Sequence, residues 1–527
     1  MRRIQLLFEE KRPVMKRIYY CIAFLFLIGS CQGQKLDSRS SQDGLVRRPA
    51  FAGQFYSADS TTLSKSIASF MNDAEPTKAD RPIAIIVPHA GYIFAGQIAA
   101  DGYNQVRHGE YDLIVVLGTN HTTAGFTGIS VYPGGAFVTP IGTAAVDEKA
   151  AEELVKADPD VTTNIEVHEK EHSIEVQIPF IKYLFPNAKI LPVIVGEADP
   201  DMCTRFGRIL AGILKNRKAL IVASSDLSHY PRFDDAVRID NATLRTIASL
   251  DIDRIHSELE KQVHRNIPQL STCACGEAPI MAAIAAAKEL GATHGAIVSY
   301  SNSGYNPVGR SDQVVGYGAV VIGKGEAVTQ VDPDTLVMDS SYKLTSSDKI
   351  ALLKYARKNL EHIFATETVP LPRGFNSFLK VKRGAFVTLR KHGELRGCIG
   401  NMSEDRPLCT VVGAMALQAA FKDGRFNPLS KEELSQVEIE ISVLTPFAPV
   451  KNADEIVLGR DGVVIKKGNR QAVFLPQVAT ETGWSKQVFL DQLCYKAGLQ
   501  AGDWKDAQLF TFQADVFSES QFERSEQ

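Results

Sequence analysis

Three histidines of this 527-residue chain stand in the same local setting: His89 follows the apolar run Ile83–Val87, His121 follows Leu113–Leu117 and His229 follows Leu220–Ala223. A turn intervenes each time: Pro88-His89-Ala90-Gly91-Tyr92, Gly118-Thr119-Asn120-His121, and Ser224-Ser225-Asp226-Leu227-Ser228-His229. Core packing gives histidine no special place. One such residue is more often a hydrogen-bonded structural group, but three at equivalent strand ends point to a functional cluster. A fourth element is Thr272-Cys273-Ala274-Cys275-Gly276-Glu277-Ala278-Pro279, a turn before the apolar helix expected over Ile280–Leu290. A cysteine at a helix start feels the positive end of the dipole, which favours the metal-binding thiolate. Two imidazoles and a thiolate suit iron(II), zinc or copper better than magnesium or calcium. The plainer alternative is a pair of small buried cysteines capping a helix. His172 and Glu175, three apart on an expected helix, share one face. They suit a pocket wall or a support behind a ligand, and equally a helix cap or surface pair.

A second constellation is Leu395-Arg396-Gly397-Cys398-Ile399-Gly400. Its two glycines permit close backbone approach and positive φ. Arg396 is placed to hold an anion and Cys398 to be a reactive thiol; the alternative is a tight structural turn with Arg396 in a buried ion pair.

The elements that must position these groups differ between the two halves of the chain. In the first, buried strands Ile83–Val87, Leu113–Leu117, Ile190–Val195 and Leu220–Ala223 alternate with helices such as Ala95–Val106 and Asp201–Leu214. That order predicts an α/β sheet with helices on both faces. In such sheets functional residues gather beyond the carboxyl ends of the strands, where the three histidines fall. The polar stretch Glu326–Ser347 reads as a linker. Beyond it a helix over Asp348–Phe364 precedes strands at Gly384–Leu389, Val437–Leu444, Gly462–Lys466 and Gln471–Leu475, and a last helix Ser485–Ala497 is capped at Gly498. Strands and helices without steady alternation predict an α+β domain.

The composition is that of ordinary globular protein, 44% hydrophobic and 23% charged. Fifty-eight basic against 61 acidic residues give a net charge of -3, with no basic run, which argues against a nucleic-acid partner. The amino terminus reads as an address. From Met15, which is a better start than Met1, Lys16-Arg17 precede the apolar run Ile18–Ser30 and then Cys31. Ile28-Gly29-Ser30 resembles the box before the cleavage site of bacterial lipoproteins, which implies that residues 1–30 are removed and Cys31 is acylated. Residues 31–45 are then a lipidated tether, and the chain is expected outside the cytoplasm, lipid-anchored to a bacterial membrane. The alternative is a short buried helix with a chance cysteine. Removal of Cys21 with the signal and lipidation of Cys31 would leave Cys203, Cys273, Cys275, Cys398, Cys409 and Cys494 in an oxidising compartment, too few for a disulfide scaffold.

Taken in order, Pro-His-Ala-Gly-Tyr, Gly-Thr-Asn-His, Glu171-His172-Ser173-Ile174-Glu175, Ser-Ser-Asp-Leu-Ser-His and Cys-Gly-x-x-Pro-Ile make residues 46–325 resemble the Memo family. Memo proteins are similar in fold to class III extradiol dioxygenases, with a cysteine in place of a metal-binding carboxylate. The resemblance implies that His89, His121 and Cys275 hold a transition metal, iron(II) favoured and copper or zinc possible. It also implies that His229 lies where the dioxygenases place an acid/base histidine, with Asp226 beside it to fix its tautomer. Cys273 has no counterpart in the motif. The Leu-Arg-Gly-Cys-Ile-Gly hexapeptide, followed by Asp423-Gly424-Arg425-Phe426 and Glu438-Ile439-Glu440-Ile441-Ser442, makes residues 348–520 resemble the AMMECR family. The two together resemble the AmmeMemoRadiSam system, which implies a radical-SAM protein as partner; no Cys-x-x-x-Cys-x-x-Cys motif occurs in this chain. A dioxygenase-like oxidoreductase on an unknown small substrate is the first expectation. A non-catalytic metal-binding or interaction lipoprotein, and a zinc-dependent hydrolase, are the alternatives.

Overall fold

The computed structural model describes residues 45–197, 199–325 and 343–523. The signal segment, Cys31, the tether up to residue 44 and linker residues 326–342 lie outside these. The described residues divide into two units: one holds those up to residue 325 with His362–Leu371, the other residues 343–361 and 372–523.

The first unit is built on an eight-stranded sheet. In chain order its strands are β1 Arg81–Val87, β2 Leu113–Thr119, β3 Ile129–Val131, β4 Val161–Thr162, β5 Lys189–Val195, β6 Ala219–Ser224, β7 His294–Asn302 and β8 Gly316–Lys324. Their spatial order is β7-β8-β1-β6-β2-β5-β3-β4. The central four, β1, β6, β2 and β5, run parallel, with Val87 opposite Ser224, Leu117 opposite Ala223 and Thr119 opposite Val195. Every residue of β2 is buried, as a strand covered on both faces must be. Alternate residues feed two separate cores. Ile86, Val115, Leu117, Val193 and Ala223 pack against helices Pro200–Leu214 and Glu277–Glu289 on one face. Ile85, Val87, Val116, Ile194 and Val222 pack against helices Ser60–Asn72 and Tyr92–Asn104 on the other. Antiparallel β7 and β8 close one edge; on the other, β3 runs antiparallel to β5 and β4, parallel to β3, is outermost. The parallel block thus delivers four neighbouring carboxyl ends to one rim.

The second unit is α+β. Strands Glu394–Asn401, Ala385–Lys391, Val437–Leu444 and Ala514–Ser518 form one antiparallel sheet in that order. Ala448–Val450, Gln508–Phe512, Gly462–Lys467 and Arg470–Phe474 form another. The helix Leu408–Phe421, apolar all round, is almost wholly buried. Ser485 caps the helix Lys486–Lys496, and Gly498 beyond it takes a φ of 73°, the left-handed exit expected of a C-terminal glycine. Among the described residues no helix is long and apolar enough to cross a membrane.

Candidate metal centre

The strand ends place the groups. β1 leads through Pro88 to His89, and Gly91 then starts the helix Tyr92–Asn104. β2 leads to His121, β6 leads to Asp226 and His229, and Gly276 opens the helix Glu277–Glu289 just after Cys275. One ligand atom each from His89, His121 and Cys275 fall within 4.8 Å of one another. Cys275 Sγ lies 3.2 Å from His89 Nε2.

Hydrogen bonding decides which nitrogens face inward. Ser224 Oγ donates its one proton to the Ser173 carbonyl at 2.6 Å and accepts from Gln177 Nε2 at 2.9 Å. Toward His89 Nδ1, 3.0 Å away, it can therefore only accept, which puts the proton on Nδ1 and leaves Nε2 to the centre. Glu171 Oε1 does the same for His121, taking Nδ1–H at 2.9 Å. Its other oxygen accepts the His121 backbone N–H at 2.7 Å. A buried carboxylate or hydroxyl behind a histidine fixes ring orientation and raises ligand basicity.

Charge follows the same layout. Burial alone would push the Cys275 thiol up, but the imidazoles of His89, His121 and His229 around it hold it well below the ordinary thiol range. Burial likewise opposes a proton on His121; Cys275 and Glu171 outweigh it and push the imidazole up to about 10. Thiolate and imidazolium thus share protons where a divalent cation would sit. The donor set, two Nε2 lone pairs and a thiolate, fits a transition metal. His121, Glu171 and His172 also approach within 4.8 Å, but Glu171 already accepts His121 Nδ1 and the backbone amides of His121 and Ser173, so it serves as a support.

His229 is half-buried beside the thiol, and its Nε2 has no partner. It lines a cleft of about 420 Å³ together with Thr119, His121, Thr272, Cys275 and Glu277. The Asp226 carboxylate accepts the backbone amides of His89 at 2.8 Å and Ala90 at 3.2 Å, while its carbonyl accepts Cys275 N–H at 3.3 Å. It therefore ties the His89 turn to the Cys275 turn. Burial pushes the Asp226 carboxyl up, partly opposed by His89. His172 stacks on His121 with ring centroids 4.5 Å apart, and burial, then His89 and His121, depress it to about 3. Glu175 meets a different set of groups. It accepts from Arg47 Nη1 at 2.6 Å, Tyr56 OH at 2.7 Å, and the amides of Ala50 and Phe51. Cys273 is buried and held up to about 12 by burial.

In the second unit the hexapeptide is a strand, with Cys398 opposite Thr388 and Gly397 opposite Leu389. Arg396 forms a two-pronged pair with Glu433 at 3.1 and 3.0 Å. Cys398 Sγ accepts from Thr388 Oγ1 at 3.3 Å, and its amide donates to Asp423 at 2.9 Å. The glycines serve close approach: a Cβ on Gly397 would lie 2.3 Å from Ala419 O, and one on Gly400 2.1 Å from the Phe386 ring. Neither is among the positive-φ glycines.

Of the supporting groups, Glu171 and Ser224 stand inside two of the quoted motifs without being singled out there, whereas Gln177 and Arg47 lie outside every motif. Glu171 also takes the N-cap position of the helix His172–Glu175.

Fold and site together define an α/β protein with a histidine–thiolate centre at the carboxyl rim of a parallel sheet. The chain belongs to the Memo family: the family model for Memo-like protein matches residues 47–321, and that for AMMECR1 matches residues 353–517. It is 40% identical over 276 residues to a MEMO1 family protein of Aquifex aeolicus, covering 52% of this chain and 97% of that one. It is 34% identical over 278 residues to a MEMO1 family protein of Thermoplasma volcanium, covering 53% and 98%. Among solved structures, an uncharacterized protein from Pyrococcus horikoshii is 34% identical, covering 32% of this chain and 89% of that chain, with a TM-score of 0.30.

Proposed function

We propose that the Memo unit is a metal-dependent, dioxygenase-like oxidoreductase acting on a small aromatic or otherwise enolisable substrate. The observation that carries this reading is the meeting of His89, His121 and Cys275 beside a cleft that His229 also lines. When bound there, a transition metal, iron(II) by preference, would supply Lewis acidity and redox chemistry. The protein's part is positioning and proton handling. Ser224 and Glu171 hold the two imidazoles in the tautomer that directs Nε2 inward. Asp226 keeps the two ligand-bearing turns at a fixed spacing. His229 takes a proton from a substrate hydroxyl entering the cleft and later returns one. The AMMECR1 unit serves as an accessory module, and a radical-SAM protein of the same system is the proposed partner. Cys31 carries a lipid anchor that holds the chain outside the cytoplasm of a bacterium.

The test is metal content of the chain from Gln32 onward, purified without oxygen, beside His89→Ala, His121→Ala, Cys275→Ser and His229→Ala. About one iron per chain, lost in the first three and kept in His229→Ala, together with dioxygen uptake abolished in all four, is the expected result. Zinc in place of iron would redirect the assignment to hydrolysis. Metal indifferent to the first three substitutions would overturn the ligand set. Acyl labelling that persists in Cys31→Ser would overturn the anchor.

A further inference from the structure

We propose that Arg47 is a positioning residue for the metal centre, and that the short strand carrying it is a strap whose docking aligns Glu171 with His121. The inference rests on the reading of His89, His121 and Cys275 as metal ligands.

The strand Val46–Arg47 is two residues long and pairs in parallel with Ala136 and Phe137. Leu45 and Val46 are exposed, so apolar burial contributes little to holding it down. Arg47 is the exception at 6% exposure, a degree of burial that arginine rarely reaches unpaired. Its guanidinium lies 5.1 Å over the Phe137 ring and donates in three directions. Nη1 reaches Glu175 at 2.6 Å, Nε the His168 carbonyl at 2.7 Å and Nη2 the Glu171 carbonyl at 2.8 Å. The two carbonyl contacts bear on the centre. His168 belongs to the helix Glu166–Glu169, Glu171 precedes the helix His172–Glu175, and each helix has only four residues. Helices of one turn have little stability of their own, so a fixed main chain at Glu171 needs an outside partner. Arg47 supplies it from behind, and the Glu171 carboxylate then meets both His121 donors in front. The path of the strap is itself fitted closely. Leu45 O accepts the Ala136 amide at 2.9 Å, and a Cβ on Gly135, whose φ is 77°, would lie 1.7 Å from that same oxygen. Docking of the strap thus requires glycine at 135. Metal affinity then depends on the docked strap, and by linkage bound metal holds the strap down.

The test uses cobalt(II) alone as the probe, titrated into the chelator-stripped chain and followed by its thiolate charge-transfer and d–d absorption. Arg47→Met by itself would leave Glu175 a buried charge without its partner. The informative variant is therefore the double, Arg47→Met with Glu175→Gln, compared with Glu175→Gln alone. Removing one partner of a buried pair costs more stability than removing both. A purely structural role for Arg47 predicts that the double variant binds cobalt(II) at least as well as the single. The positioning role predicts the reverse: Glu175→Gln keeps the wild-type affinity and spectrum, and the double loses about tenfold in affinity, with shifted d–d bands. Gly135→Ala displaces the strap with Arg47 intact and should lose affinity to a similar extent. Gly291→Ala, at a helix end with a φ of 92° and only the flexible tip of Lys324 nearby, should keep it. Trypsin reads the same coupling from the other side, because cutting the Arg47–Arg48 bond requires the Arg47 side chain to leave its site. That cleavage should slow about tenfold in the wild type loaded with cobalt(II). Equal affinities in the single and double variants, or cleavage indifferent to the metal, would overturn the proposal. A wild-type chain that binds no cobalt(II) would overturn the metal reading itself, and this proposal with it.

Discussion

Glu171 and His121 are joined twice: one carboxylate oxygen takes the imidazole Nδ1–H at 2.9 Å and the other takes the backbone N–H of the same residue at 2.7 Å. The double contact fixes both the ring and the turn that carries it. Glu171→Gln would turn an amide N–H toward one of those two donors. Metal affinity should fall about 10- to 100-fold, the usual cost of losing a partner behind a ligand histidine. Glu175→Gln is the contrasting variant. It leaves Arg47, a buried charge 2.6 Å away, without its counter-ion, so it should cost about 3–5 kcal/mol of stability. Its effect on metal affinity should be small in the protein that remains folded. Chelator competition and urea unfolding on both variants check this; equal losses of affinity would remove the distinction.

How far this was legible in the sequence differs from group to group. The apolar runs before His89, His121 and His229 are long and β-branched, and the strands observed there, Arg81–Val87, Leu113–Thr119 and Ala219–Ser224, extend the expected ones by a few residues. Parallel pairing of adjacent strands then brings their ends together without further information. The choice between Glu171 and Glu175 has no such local cause. Both lie within five residues of one another, and the helix His172–Glu175 is only four residues long, so helical spacing says little about what each faces. Arg47, 124 residues from Glu171, draws Glu175 toward Ala50 and Tyr56, a relationship made only in the folded chain. Antiparallel strands β7 and β8 lie between or beyond the motifs and have no chemistry of their own to draw attention. In the second unit the hexapeptide suggests a turn by its glycines, whereas the strand uses their missing side chains to seat Ala419 and Phe386.

Acid should weaken the first unit through His168. This residue is buried, with Nε2 3.2 Å from Ser130 Oγ and Nδ1 without a partner. Burial, then Arg47, depresses it to about 3. In the unfolded chain it takes a proton near pH 6.5. Between those values the unfolded state binds more protons. The stability it contributes is therefore present above about pH 6.5 and lost as pH falls toward 3, at up to about 1.4 kcal/mol per pH unit. His168→Gln should flatten the stability profile between about pH 6.5 and 5, measured by urea unfolding at fixed ionic strength. An unchanged slope would assign the acid sensitivity to other groups.

In the second unit, the Arg396–Glu433 pair predicts a structural contribution. Glu433 is held down to about 2, first by the Arg396 guanidinium. Both side chains keep some exposure, 13% and 23%, so the pair is worth less than a fully buried one. Arg396→Ala and Glu433→Gln should each cost about 1–2 kcal/mol in the unfolding of this unit. The double variant should cost less than their sum, with a coupling of about 1 kcal/mol. Additive losses would show that Arg396 owes its place to something other than Glu433.

The last prediction concerns a missing side chain. A Cβ on Gly276 would lie 2.5 Å from Ser224 O and 2.6 Å from Ser225 Cβ, and the amide of Gly276 donates to Ser225 Oγ at 2.9 Å. Its φ of −103° is open to any residue, so the requirement is space. Ser224 is also the residue that holds His89 Nδ1. Gly276→Ala must therefore push the Cys275 turn off the strand end that orients His89, parting two of the three ligand atoms. Metal affinity should fall about tenfold or more, with a stability loss of about 1–3 kcal/mol from the overpacking. Gly212→Ala is the control, since nothing lies within 4 Å of its added Cβ and the helix gains from alanine. It should keep full metal affinity and gain up to about 1 kcal/mol of stability. If Gly276→Ala binds metal as tightly as the wild type, the close approach of these two backbones is not what sets the spacing between Cys275 and His89.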